Sequence, residues 1–213
     1  MAADQRGPKI GRPSYDETEI AARRQKILEA AVSLVPHLGS SNVRLKDIAA
    51  EAGVSVGTLQ HYFDSRDELV EAAFAFHADR VIDSVQAAID SADDPWDQVR
   101  ALIARFSSVH DVQSRSALWV EFAAGSARDN RLRQLMGETY AQWRTILAGA
   151  VTAGITAGSF RPGLDTDQAV DGICALLDGY ELANTIGAWR EPANAEATLL
   201  GLIASILGFS ESH

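Results

Sequence analysis

The chain has 213 residues, 46% of them hydrophobic and 23% charged, enough to bury a sizeable core in one or two domains. Its net charge of −10 argues against gripping nucleic acid by bulk charge, and one cysteine, Cys174, excludes an internal disulfide framework. No apolar run reaches the roughly 18 residues of a membrane span, and the N-terminus lacks a signal peptide's apolar core, so a reducing cytoplasm is the expected setting.

The charge is unevenly placed. Residues 1–75 carry 9 Lys+Arg against 11 Asp+Glu, while residues 76–213 carry 10 against 18. The first stretch is Arg6-Gly-Pro-Lys9-Ile-Gly11-Arg12-Pro13, which has no helical character. Residues 1–19 therefore read as a flexible basic arm, able to reach phosphates or a minor groove.

Ile27, Ala31, Leu34, Val35 and Leu38 then form the apolar stripe of a first helix, which Pro36 is expected to kink or end. Leu45, Ile48, Ala49 and Ala52 recur at i, i+3, i+4 and i+7, the spacing of a second. Gly53 follows where a helix C-terminus wants positive φ, Val54 plugs the gap, and Ser55 is placed to cap a third helix. Leu59 and Phe63 point inward there, leaving Thr58, Gln60, His61 and Tyr62 on or beside the outer faces. Ser65 to Glu68 makes a capping box for a fourth helix. Two short helices broken at glycine, with outward polar and aromatic groups, are how a helix-turn-helix meets DNA. An ordinary helical hairpin would share the outline.

A long helix is expected from Arg66 to about Ser91, carrying Leu69, Ala73, Phe76, Val81, Val85 and Ile89 at helical spacing. Asp94-Pro95 opens the next, and further helices are expected over 98–109, 114–126 and 129–156. Gly158 to Gly163 is a break, Asp165 to Gln168 another cap, and two unusually apolar helices remain over 166–187 and 194–208. So wide an apolar face must be covered on more than one side, by internal core or by a second copy of the chain. No β pattern or repeat appears. The expected fold is all-α, with about nine helices.

From about residue 20 to 66 the chain resembles the DNA-binding domain of the tetracycline-repressor (TetR) family. The resemblance rests on Arg24, Ile27, Leu28, Ala30 and Ala31, and then on Ile48-Ala49, Ala52-Gly53-Val54-Ser55, Gly57-Thr58-Leu59, Tyr62-Phe63, Arg66 and Leu69. Pro36, Arg44 at a cap position and Gln60 where Tyr is frequent depart from the family pattern. The resemblance implies a three-helix domain over 20–66 and a ligand-binding and dimerisation domain over 67–213. It assigns Arg44, Lys46, Ser55, Thr58, Tyr62 and Arg66 to the DNA backbone, Val56, Gly57 and Gln60 to base edges, and Arg12 to the arm. The chemistry agrees: hydroxyls and cations position the protein, while Gln pairs with adenine and Val meets a thymine methyl. A homodimer through the last two helices would read a palindromic operator, with two half-sites spaced by a helical turn.

The segments Ser116 to Ala124, Tyr140 to Arg144 and Gly158 to Pro162 resemble the C-terminal domain of BetI-like regulators, whose namesake responds to choline. That resemblance implies an effector cavity, with Phe106, Trp119, Phe122, Trp143 and Tyr180 as candidate walls and Glu121, Asp178 or Glu181 as polar contacts. Aromatic walls with a carboxylate would suit a cation; the same aromatics would serve as plain core. No catalytic or metal pattern is present, since the five histidines are scattered and Cys174 lies among Ile173, Ala175 and Leu176. The expected function is a DNA-binding regulator, a repressor released by a small molecule, with no cofactor. The alternative is an α-helical ligand-binding or scaffolding dimer that does not use DNA.

Overall fold

The computed structural model describes residues 17–107, 112–190 and 192–209. Among them are nine α-helices and one 3₁₀ turn, with no strand. The helices are α1 (Glu17–Leu38), α2 (Leu45–Glu51), α3 (Val56–Tyr62), α4 (Arg66–Asp90), α5 (Pro95–Ser107), α6 (Val112–Ser126), α7 (Asn130–Thr156), α8 (Thr166–Thr185) and α9 (Ala195–Leu207), the 3₁₀ turn being Pro192–Asn194. Residues 1–16 of the expected arm, Arg12 included, lie outside the described residues, and residues 17–19, expected to belong to it, open α1 instead.

Helix starts follow the caps. Asp94 Oδ1 accepts from the amides of Trp96 and Asp97 at 2.8 and 3.0 Å, and Asp129 from Arg131 at 2.8 Å. Asp165 accepts from Gln168 at 3.0 Å. Each satisfies amides that a first helical turn leaves open. Pro36 neither ends nor breaks α1, which runs on to Leu38. The proline stands in the last turn, and the Gly39 amide, at φ +82°, closes that turn on the Val35 carbonyl at 2.9 Å. The expected box at α4 also forms differently: Ser65 caps Glu68 at 3.1 Å, but the Glu68 carboxylate reaches back to the Asp64 amide at 2.7 Å.

Two hydrophobic clusters share α4. The first joins α1, α2 and α3 to Leu69, Val70, Ala73, Phe74 and Ala78, and it recruits Leu118 and Phe122 from α6. The second takes Val85 and Ile89 from the far half of α4 with α5, α7, α8 and α9. At 25 residues, α4 is about 37 Å long and spans both. The N-terminal core therefore continues past Arg66 into the larger half.

Close packing in the C-terminal half uses glycine where α7 meets Phe160. A Cβ on Gly154 would lie 2.0 Å from Cε2 of Phe160, whereas one on Gly149 or Gly158 would meet nothing within 4 Å. Helices α8 and α9 bury Ile173, Leu177, Tyr180, Leu199, Ile203 and Leu207, yet leave Leu182, Ile186 and Leu202 exposed at 49%, 66% and 46%.

Candidate nucleic-acid interface and effector cavity

The turn between α2 and α3 is built by local rules. Gly53 has φ +66°, its amide reaches the Ala50 carbonyl at 3.2 Å, and the Val54 amide reaches Ala49 at 2.9 Å. This paired closure uses glycine for the left-handed residue and turns Val54 back onto the first core. Ser55 then caps α3, its Oγ accepting from the Thr58 amide at 3.0 Å and lying 2.8 Å from Thr58 Oγ1. Leu59 and Phe63 are buried, which fixes the rotation of α3 on its support.

That rotation leaves Ser55, Val56, Gly57, Gln60 and His61 exposed, with Thr58 and Tyr62 half-buried. Val56 is an apolar side chain held in the open beside Gln60. Gly57 is not demanded by the chain's own packing, since an added Cβ would meet only Ser55 Oγ, at 3.8 Å. Lys46 and Arg44 are exposed beside α2, and the Arg44 amide donates to Asp47 at 3.3 Å. Arg66 stands apart from this set. Its Nε donates to the Val43 carbonyl at 2.8 Å and its Nη1 to Asp67 at 2.6 Å, so its guanidinium ties α4 to the α1–α2 turn.

A cavity with about 610 Å³ of atom-free space, part of it open to solvent, lies between α4, α6, α7 and α8. Trp119, Trp143, Asp178 and Glu181 line it as expected sites, and Phe74, His77, Arg115, Thr139, Tyr140 and Cys174 join them. Phe122 and Tyr180 do not: Phe122, one turn along α6 from Trp119, is buried in the first core, stacked on Phe74, and Tyr180 is buried in the second. Glu121 also faces away, accepting hydrogen bonds from Ser40. The side chain of Phe106 lies outside the described residues.

Charge in the cavity is specific. Arg115 and Glu181, both buried, form an ion pair. Burial pushes the Glu181 carboxyl up, and Arg115 pulls it back. Asp178 is bound by neutral donors only, Tyr140 Oη on Oδ2 at 2.8 Å and Trp119 Nε1 on Oδ1 at 3.2 Å. Among the described residues it has no ion-pair partner. Burial, with the Asp178 carboxylate, holds the Tyr140 phenol well above its ordinary range. Burial and the cations Arg115 and Arg80 push the His77 imidazole down to about 4, so it is neutral near pH 7. The cavity thus combines aromatic walls with a carboxylate, Asp178, that has no ion-pair partner among the described residues. Among the described residues no cluster of His, Cys, Asp or Glu could hold a metal.

Tyr140, His77 and Arg115 were not singled out for the cavity from sequence. Tyr140 and Trp143, three apart, signal a shared helix face. Arg115 beside the apolar run from Ala117 to Val120 is the charge that needed a buried partner.

Residues 27–73 match the family model for bacterial regulatory proteins of the tetR family, and residues 95–208 match that for the C-terminal part of BetI-type transcriptional repressors. The chain is 28% identical over 182 residues to the HTH-type transcriptional regulator BetI of Brucella suis, covering 85% of each. A crystal structure of a putative TetR-family regulator from Rhodococcus sp. superposes with TM-score 0.77 at 26% identity, covering 88% of this chain and 99% of that one. A regulator from Saccharomonospora viridis, solved in complex with choline, does so with TM-score 0.77 at 24% identity, covering 86% and 96%.

Proposed function

The chain belongs to the TetR family of bacterial transcriptional regulators, with a BetI-type C-terminal domain, and from that premise we propose how it acts. It binds a palindromic operator as a homodimer and represses until a small organic cation enters the cavity. The observation that carries the DNA half is the outer face of α3, where Val56, Gly57 and Gln60 stand together in solvent. Gln60 reads a base edge, Val56 meets a thymine methyl, and bare Gly57 lets the backbone approach. Lys46, Arg44, Ser55, Thr58 and Tyr62 hold phosphates and fix the register, with Arg12 of the arm adding a further contact. Arg66 supports them from behind through Val43.

The homodimer forms through α8 and α9, where Leu182, Ile186 and Leu202 remain exposed. Covering such an apolar face stabilises association, and the two-fold axis places two recognition helices about 34 Å apart. The compartment is the cytoplasm, where operator DNA is found.

For the effector, Asp178 supplies the charge and Trp119, Tyr140 and Trp143 supply ring faces. A cation over aromatic faces gains roughly 0.5–2 kcal/mol per contact once desolvated. The choline in the Saccharomonospora viridis structure is in keeping with such a ligand. Effector binding favours a conformation with a different spacing of the recognition helices and so shifts the population off DNA.

Selection from random duplexes with the full-length protein tests the reading. Recovery of a palindrome is the expected result; no enrichment even at low salt would instead favour a ligand-binding scaffold. Tryptophan fluorescence titrated with choline and with its neutral carbon isostere, 3,3-dimethylbutanol, tests the effector class. Saturation by the cation alone is expected, and equal binding of the two would remove the role of Asp178.

A further inference from the structure

Helix α6 is bonded to both halves of the molecule within two turns. Toward the cavity, Arg115 pairs with Glu181 and Trp119 donates to Asp178, both carboxylates lying on α8. Toward the DNA-binding half, Glu121 Oε1 accepts from the Ser40 backbone amide at 2.8 Å and from the Ser40 hydroxyl at 2.7 Å. Ser40 lies in the turn between α1 and α2, 81 residues away along the chain. This is a bond between the effector half and the DNA half, centred on a single carboxylate oxygen.

The turn that Glu121 holds is closed by its own backbone hydrogen bonds. Gly39 carries φ +82°, and its carbonyl accepts from the amides of Asn42 and Val43 at 3.1 and 3.2 Å. Buried Val43 then accepts from Arg66 Nε at the start of α4. Arg44 follows as the residue before α2, and Lys46 stands in the first turn of that helix. A displacement of Ser40 is therefore passed to α2 and to the root of α4.

We propose that Glu121 is a positioning residue that couples the cavity to the pose of the DNA-binding half through Ser40. The proposal rests on the regulatory reading above and names how its two sites communicate. A ligand engaging Asp178 or Glu181 competes with Trp119 and Arg115 for those carboxylates and loosens the cavity side of α6. Packed helices respond by shifts of about 1–2 Å, and hydrogen bonds of 2.7–2.8 Å do not survive such a shift without moving one partner. Glu121 travels with α6 and carries the turn with it. The path reaches α2 directly, beside the longer route along α4.

A double-mutant cycle in the full-length protein tests it. Trp119→Phe keeps a ring on the cavity wall but deletes the donor to Asp178, imitating ligand competition. Glu121→Ala deletes the tie. Two readouts are followed: hydrogen exchange at the Ser40 amide, corrected for global stability, and affinity for the selected operator. Trp119→Phe is expected to change Ser40 exchange at least severalfold and operator affinity with it. In the Glu121→Ala background both responses to Trp119→Phe vanish. Glu121→Gln keeps an acceptor without the charge, should give a partial response, and takes the place of the alanine variant if that one folds poorly. Additive effects, or Ser40 exchange indifferent to Trp119→Phe, would overturn the proposal. The exchange cycle decides the coupling even if selection returns no operator, so its failure is separable from failure of the DNA reading.

Discussion

Phe122 of α6 lies against Phe74 of α4, with ring centroids 4.3 Å apart and planes 24° apart. The contact seals the N-terminal core from the side of the effector half and explains why Phe122 is absent from the cavity, whereas Phe74 belongs to both. Truncating a buried aromatic costs about 3–5 kcal/mol through lost transfer energy and the void left behind. Phe122→Ala should lower unfolding free energy by that order in urea denaturation. It should leave cation affinity unchanged where the protein is still folded. A loss below about 1 kcal/mol would mean the site collapses without penalty.

Gly57 separates folding from recognition. Its added Cβ would have only Ser55 Oγ for company, and alanine is the better helix former by up to about 1 kcal/mol. Gly57→Ala should therefore keep or raise the melting temperature while weakening operator binding. A variant that melts lower, or binds as tightly as the parent, contradicts the assignment of this backbone to the DNA.

Lys46 and Gln60 should differ in kind. Lys46→Ala should weaken binding to all duplexes alike and flatten the salt dependence by about one unit of slope. Gln60→Ala should relax preference at one base pair of each half-site, costing about 1–3 kcal/mol of discrimination there. Binding measured across salt concentrations and single-base operator variants distinguishes these outcomes; an identical response from both would dissolve the distinction.

His77 sets a pH dependence. The unfolded imidazole takes a proton near 6.5, the folded one only near 4. Between those values the unfolded chain binds more protons, so stability is intact above about 6.5 and declines as pH falls toward 4. Going from pH 7 to pH 5, this group should remove about 1–2 kcal/mol. His77→Gln should lose correspondingly less over the same interval in urea titrations at the two pH values. If parent and variant fall equally, His77 is not held neutral.

Much of the DNA-binding half was readable from sequence because its signals are local. Gly53, Ser55, Leu59 and Phe63 announce a turn, a cap and an inward face within eleven residues, and the bonds they form are those expected. Pro36 misled because a proline in a final turn removes a single bond, and Gly39 closes that turn regardless. Arg66, which the resemblance assigns to the DNA backbone, is bonded in the folded chain to Val43 and Asp67, a tie that no local signal announced.

The chain alone determined where helices start and stop, which stripe of each is apolar, and which side chains of α3 are left outward, since those depend on neighbours three or four positions apart. Only the folded molecule decided that Trp119 faces the cavity and Phe122 the core, that Asp178 meets Tyr140 and Trp119, and that Glu121 reaches Ser40. Those relations join residues 38 to 81 positions apart. They are set by the angle at which each helix is packed, a quantity that helical periodicity does not encode.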